Sequence, residues 1–495
     1  VVRVIYASSC LPTHRTVVFG ALAFAGVFVV LAFALPPTWS MGVAALAAMA
    51  FALASLEKTA TTALAIVFCG MYPISLTYGD FPFLPGTAGM AAYGLVSLAA
   101  IVALARERRS PFRFERSEAL LLTLATLVVI ASFATGWSAT NTAYFRQSFA
   151  RLAGTLIPAC LIIANTGTAQ TFERFCRVNL AIASGFTLGL LCRAMLAMGG
   201  APGVTTASLA VDNTIGLSNV LFTHFAAAVT YVLFARERLG TGTRLALLLL
   251  ASADLAFIAY FTQRSALLGI LGAVVLTPFL FRLEVPRQKR LRWRAAMGAF
   301  ALATAALLWI ATAKGLLDST LNKLNLSFQF ARMLRVGDVN LSAESISGTS
   351  LPLGSISVRI DGYLTAWRAF TESPWTGIGF SRFEALAARF WHGYPHNIFL
   401  DFAVSFGIAG LLVACVFAGL VIYGLLRARA LSIAEGRTRP EVAFASLMVV
   451  FFSVVLQVSG GIQSIFPLFV VSLFLLLRAT SIPNAHPETA PKDTP

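Results

Sequence analysis

Gly410-Leu411-Leu412-Val413-Ala414-Cys415-Val416-Phe417-Ala418-Gly419-Leu420-Val421-Ile422-Tyr423-Gly424-Leu425 runs for sixteen residues without a charge. Together with the residues before it, the run predicts one membrane span over 396–425. A helix needs roughly 20 apolar residues to cross about 30 Å of hydrocarbon. Comparable runs recur from Val17 to Leu477 and predict further spans at 17–35, 40–55, 60–78, 87–105, 118–135, 149–164, 178–199, 216–234, 244–261, 263–281, 294–313, 441–456 and 459–477. The expected fold is an all-α polytopic membrane protein of about fourteen transmembrane helices. One large, partly helical periplasmic loop precedes the last three.

Composition agrees. Of the 495 residues, 58% are hydrophobic and 12% charged, whereas soluble domains hold about half and a quarter. The expected organisation is an N-terminal bundle over 1–313, the loop over 314–395, the last spans over 396–480 and a disordered cytoplasmic tail over 481–495. The first apolar run reads as a retained span, because its core is too long for a signal peptide and Pro36, Pro37 and Trp39 stand where small cleavage-site residues belong.

The net charge of +16 suggests nucleic acid only at first sight. The basic residues form short clusters between spans, not one stripe. With a cytoplasmic N-terminus, the clusters Arg106 to Arg116, Arg236 to Arg244, Arg282 to Arg294 and Arg427 to Arg439 all face inward. On this topology the inward segments hold 25 of the 37 Lys and Arg, the short outward connections four and the long loop eight. That is the positive-inside asymmetry, and it places both termini on the cytoplasmic side. The six cysteines show no paired spacing and read as small apolar residues.

Within the long connection, the stretch 336–357 is rich in Ser and Gly. Residues 360–371 have helical apolar spacing, the Pro374-Trp375-Thr376-Gly377-Ile378-Gly379 turn follows, and 383–390 suits a second short helix. The loop ends at Tyr394-Pro395-His396-Asn397. Pro395 disfavours helix at Tyr394, so His396 is expected at the mouth of the next span, at the lipid–water boundary. A neutral imidazole there can take a proton from a hydroxyl near pH 7. Gly407 and Gly410 are expected to let a neighbouring helix approach closely.

His396, Asn397, nine residues and then Gly407-x-x-Gly410 resemble the motif of the O-antigen ligase family, with the spacing intact. Arg359, Trp367 and Pro374-x-x-Gly377-Ile378-Gly379 are similar to that family's shared periplasmic region, and Gln263-Arg264-Ser265 is a weaker echo. The resemblance covers Arg359 to Leu412. Arg359 is followed four residues later by Tyr363, where ligases carry Leu. The family includes ligases, O-antigen polymerases and protein O-oligosaccharyltransferases, so the resemblance names a chemistry before it names an acceptor.

The resemblance implies a glycosyltransferase whose donor is a glycan on undecaprenyl diphosphate. Its acceptor is lipid A-core or a second lipid-linked glycan, and its site faces the periplasm among membrane lipids. His396 is then the base. Arginine binds phosphate oxygens bidentately and keeps its charge in a partly dehydrated site. Arg264, in a very short outward connection, and Arg359, in the long loop, are the candidates for holding the diphosphate. Arg146 and Arg151 are weaker choices, and Asn397 would orient the histidine or a sugar.

The outward acids Asp318, Asp338, Glu344, Asp361, Glu372 and Glu384 are scattered, which points to no metal. The absence of a Walker-type run points to no nucleotide and no other cofactor. His392 suits a solvated loop residue. His224 and Asp254 stand inside apolar runs and mark either an ion pathway or a buried pair that satisfies itself. The competing readings are a polymerase and, from another class, a flippase or transporter.

Overall fold

The structure is a computed structural model that describes residues 114–137, 214–234, 241–260, 264–281, 355–386, 395–458 and 465–481, with isolated positions between them. Among the described residues it is all helical, without strands. The continuous helices there are α1 (Arg116–Gly136), α2 (Thr214–Phe234), α3 (Thr241–Tyr260), α4 (Arg264–Leu280), α5 (Ser355–Glu372), α6 (Phe383–Leu386), α7 (Ile398–Ala434), α8 (Pro440–Val458) and α9 (Phe466–Ser481). By length and composition α1, α7 and α8 are long and apolar enough to cross a membrane.

These helices fall on the predicted spans with small shifts. The larger differences are α7, which runs nine residues past the predicted end, and the last span, which begins at Phe466 instead of 459. The spans predicted at 17–35, 40–55, 60–78, 87–105 and 294–313, the stretch 336–354 and the tail beyond 481 lie outside the described residues. Those at 149–164 and 178–199 are described only at isolated positions.

Helix α8 is the hub of the core. Nearly every residue from Val442 to Phe452 is buried, because α2, α4, α7 and α9 all pack on it. Phe451 stacks on Phe222 of α2 with ring centroids 3.6 Å apart. A Cβ at Gly269 of α4 would lie 2.6 Å from the Phe451 ring, and one at Gly272 would lie 3.2 Å from Val454. Two glycines three residues apart thus let α4 approach α8 closely, the usual device where lipid supplies no hydrophobic drive between helices.

Charge pairs gather at one end of the bundle. The Arg427 guanidinium of α7 grips the Glu115 carboxylate, which precedes α1, with one of the two hydrogen bonds at 3.0 Å. Arg478 of α9 reaches Glu118 of α1 at 3.2 Å, and Glu118 is fully buried. The guanidinium beside Glu115 holds its carboxyl below the usual range. Just past the end of α7, Gly436 has a φ of 71°, which suits a residue without a Cβ, and Pro440 opens α8 at the first helical position.

Helix α7 is two helices joined at a corner. Gly407 has φ 68° and ψ −151°, outside helical values. Phe402 and Phe417 have ring centroids 6.2 Å apart, although fifteen residues of straight helix would separate their backbones by about 22 Å. The chain therefore turns sharply at Gly407. From Gly407 to Arg427 is about 30 Å of helix, one hydrocarbon thickness. Residues 398–406 form a separate short arm across the end of the bundle opposite the charge pairs.

Candidate functional site

A helix broken among apolar residues strands backbone groups that lipid cannot satisfy. Here the Pro374–Gly379 turn satisfies them. The Ile378 N–H donates to the Val404 carbonyl at 2.8 Å, Gly379 N–H to Ser405 at 3.2 Å, and the Ile408 N–H to the Pro374 carbonyl at 2.7 Å. The approach is so close that a Cβ on Gly407 would sit 2.5 Å from the Trp375 carbonyl group, and one on Gly377 would sit 2.5 Å from the Val404 carbonyl oxygen. The Pro-x-x-Gly-x-Gly turn and Gly407 are thus two halves of one joint.

This corrects the expected role of the second glycine pair. Gly407 receives the loop backbone, and a Cβ on Gly410 would collide with the Phe402 carbonyl of its own folded-back arm. Close helix-to-helix approach occurs instead at Gly269 and Gly272 of α4. The reason is the corner, which sequence spacing does not reveal.

The arm carries His396 at its start. His396 is 7% exposed and has φ 56°, a left-handed conformation that only a few per cent of non-glycine residues adopt. Such a conformation persists where the surroundings over-determine it. Those surroundings are visible. Asn397 caps the arm, its Oδ1 accepting from the Leu400 N–H at 3.1 Å, while its Nδ2 donates to Gln457 Oε1 at the end of α8 at 3.2 Å.

One turn on, the buried Asp401 Oδ2 accepts from the Ile462 N–H at 2.8 Å, and Ser405 also hydrogen-bonds to Asp401. The first turn of the arm is therefore tied to the end of α8 and to the middle of the α8–α9 connection. Asp401 was missed by sequence reasoning, although an acid inside an apolar run is itself a signal. Asn397 is engaged by backbone and Gln457, which makes its visible work the placement of the arm.

Helix α5 packs on the arm. Ala366, Ala369 and Phe383 bury against Val404, with Leu400 and Ile378 beside them. Phe380 ties the same turn to the end of α1, its N–H donating to Thr135 Oγ1 at 3.1 Å. Arg359 stands in the first turns of α5. Arg264 is the first residue of α4. The side chains of both arginines, with Arg146, Arg151, Tyr394 and His392, lie outside the described residues.

His224 and Asp254 are brought together, away from the arm. His224 Nδ1 and Asp254 Oδ2 are 2.5 Å apart, both fully buried. Thr187 donates to Asp254 Oδ1 at 2.6 Å, and Ser184 Oγ lies 2.9 Å from His224 Nε2. The buried pair satisfies itself.

Residues 232–415 match the family model described as O-antigen ligase. No curated protein matches the chain.

Proposed function

From the premise that the match over 232–415 supports the O-antigen ligase superfamily, we propose that this chain is a membrane glycosyltransferase using a lipid diphosphate-linked glycan. The observation that carries the proposal is the left-handed, buried His396 at the head of an arm held by four other chain segments. A group meant to meet a reacting atom must be held within about half an ångström. Here the surrounding fold supplies that constraint.

In the proposed reaction, His396 takes the proton of an acceptor hydroxyl. The freed oxygen attacks the anomeric carbon, and the bond from that carbon to the diphosphate breaks. Undecaprenyl diphosphate departs, its charge held by Arg264 and Arg359. The arm lies on the periplasmic side of the inner membrane and the Glu115–Arg427 end on the cytoplasmic side, as the distribution of Lys and Arg favours. The leading acceptor is lipid A-core. Tyr363, in place of Leu four residues after Arg359, departs from the ligase pattern, and a polymerase is the second reading.

Deleting the chain's gene tests both. Loss of a ligase leaves long polymer on the lipid carrier and bare core, and loss of a polymerase leaves core bearing one repeat unit. A change confined to a secreted polysaccharide would remove both lipopolysaccharide readings. A flippase is tested in proteoliposomes: under that reading His396→Ala retains lipid movement, whereas under the proposed one it abolishes glycan transfer.

A further inference from the structure

Helix α5 has two unlike exposed flanks. Its packed face carries Ala366 and Ala369. At about 100° per residue, Trp367 lies toward one side of the opposite surface and Arg368 and Glu372 toward the other, with Leu364 between them. Leu364 is 50% exposed, Trp367 55% and Trp375, in the following turn, 77%. Large apolar side chains left this open in a segment outside the spans call for a partner.

The joint at Gly407 indicates which one. Trp375 has its backbone against Gly407, where the crossing part of α7 begins. The same turn is pinned through Phe380 to Thr135, two residues before Trp137, which is 67% exposed at the end of α1. Two indoles, Trp137 and Trp375, therefore stand near the level where spans leave the hydrocarbon, and Trp367 stands on the helix that leads into the same turn. Tryptophan concentrates at that level, with its ring among the acyl ends and its N–H toward headgroups.

We propose that α5 is an interfacial helix, with Leu364, Trp367 and Trp375 seated in the headgroup region of the bilayer at the end of the bundle that holds His396. An amphipathic helix so placed buries its apolar flank by roughly 5–10 Å. The seat depends on the chain being embedded in lipid and not on transfer chemistry at His396.

Tryptophan quenching tests the seat. The full chain is placed in nanodiscs of phosphatidylcholine brominated near the glycerol end of the acyl chain or near its terminus, and compared with Trp367→Phe and Trp375→Phe. The fluorescence removed by each substitution is expected to be quenched more by bromine near the glycerol end than by bromine at the terminus. A tryptophan introduced by Arg368→Trp, on the polar flank, is expected to escape both. The proposal is overturned if the Trp367 component is quenched by neither lipid, which places that flank in water or against protein, or if the Arg368→Trp signal is quenched equally. His396→Ala protein is expected to give the same quenching, so failure of the seat is read separately from failure of the chemistry.

Discussion

The two described histidines meet opposite fates. His224 lies inside the bundle with both ring nitrogens engaged, Nδ1 by Asp254 and Nε2 by Ser184. His396 lies at the end of the bundle, where its position is set by backbone shape: a left-handed φ, a capped arm and a loop that fills the break at Gly407. An ionisable side chain among apolar residues is thus not in itself a sign of chemistry. At His224 the fold uses the groups up on one another, and at His396 it spends unusual backbone geometry on placing one group.

That contrast is sharpest in activity. His396→Ala is expected to lower transfer by at least a hundredfold, the usual scale for removing a general base, with an unchanged unfolding midpoint in detergent. Glycan released from labelled lipid carrier in proteoliposomes measures it. His224→Ala is expected to show the reverse pattern, with lower stability and residual activity in proportion to the folded fraction. Equal activity losses in two equally stable variants would abolish the distinction.

Gly407→Ala tests the joint. Its Cβ would enter the space of the Trp375 and Pro374 carbonyls at a φ that alanine disfavours, so the arm must part from the turn. Limited proteolysis within 374–379 is expected to accelerate severalfold, with transfer falling alongside. Gly419→Ala, at a position open to its surroundings, is the control that changes neither.

The buried pair is next in size. Asp254→Ala leaves His224 without its partner and is expected to cost about 3–5 kcal/mol, whereas replacing both residues with apolar ones of similar volume costs less than either single change. Denaturant unfolding in mixed micelles measures the difference, and a double variant weaker than both singles would contradict the self-satisfied pair. The smallest effect belongs to Glu115 and Arg427, a half-exposed pair worth below about 1 kcal/mol. Because Arg427 lowers the Glu115 pKa, its contribution is full above the ordinary glutamate value of about 4.3. It is lost as pH falls through the lower folded value. Glu115→Gln should therefore melt slightly below the parent at pH 7 and converge with it under strong acid.

Much of this was legible in order along the chain. Apolar run length placed α1 to α4 and α8 within a few residues of their observed ends, because hydrocarbon thickness dictates a number of residues and little else. The apolar spacing of 360–371 marked the core of α5 for a related reason, since one packed face repeats every turn. Pro395 marked the start of the arm, and His224 with Asp254 stood out as charges that lipid would not tolerate alone.

What composition and spacing could not show was the corner. A run of apolar residues from Ile398 onward reads as one helix, because nothing local to Gly407 breaks it: the glycine permits the turn, and the carbonyls and amides of Pro374 to Gly379, about thirty residues earlier, stabilise it. The partner of Asp401 is likewise a backbone amide sixty-one residues away. Residue type and run length determined which segments belong among lipid, since burying apolar surface is a local sum. Only the tertiary structure decided where a helix breaks and what fills the break, since an unpaired backbone group in an apolar setting must find its partner wherever the fold brings one.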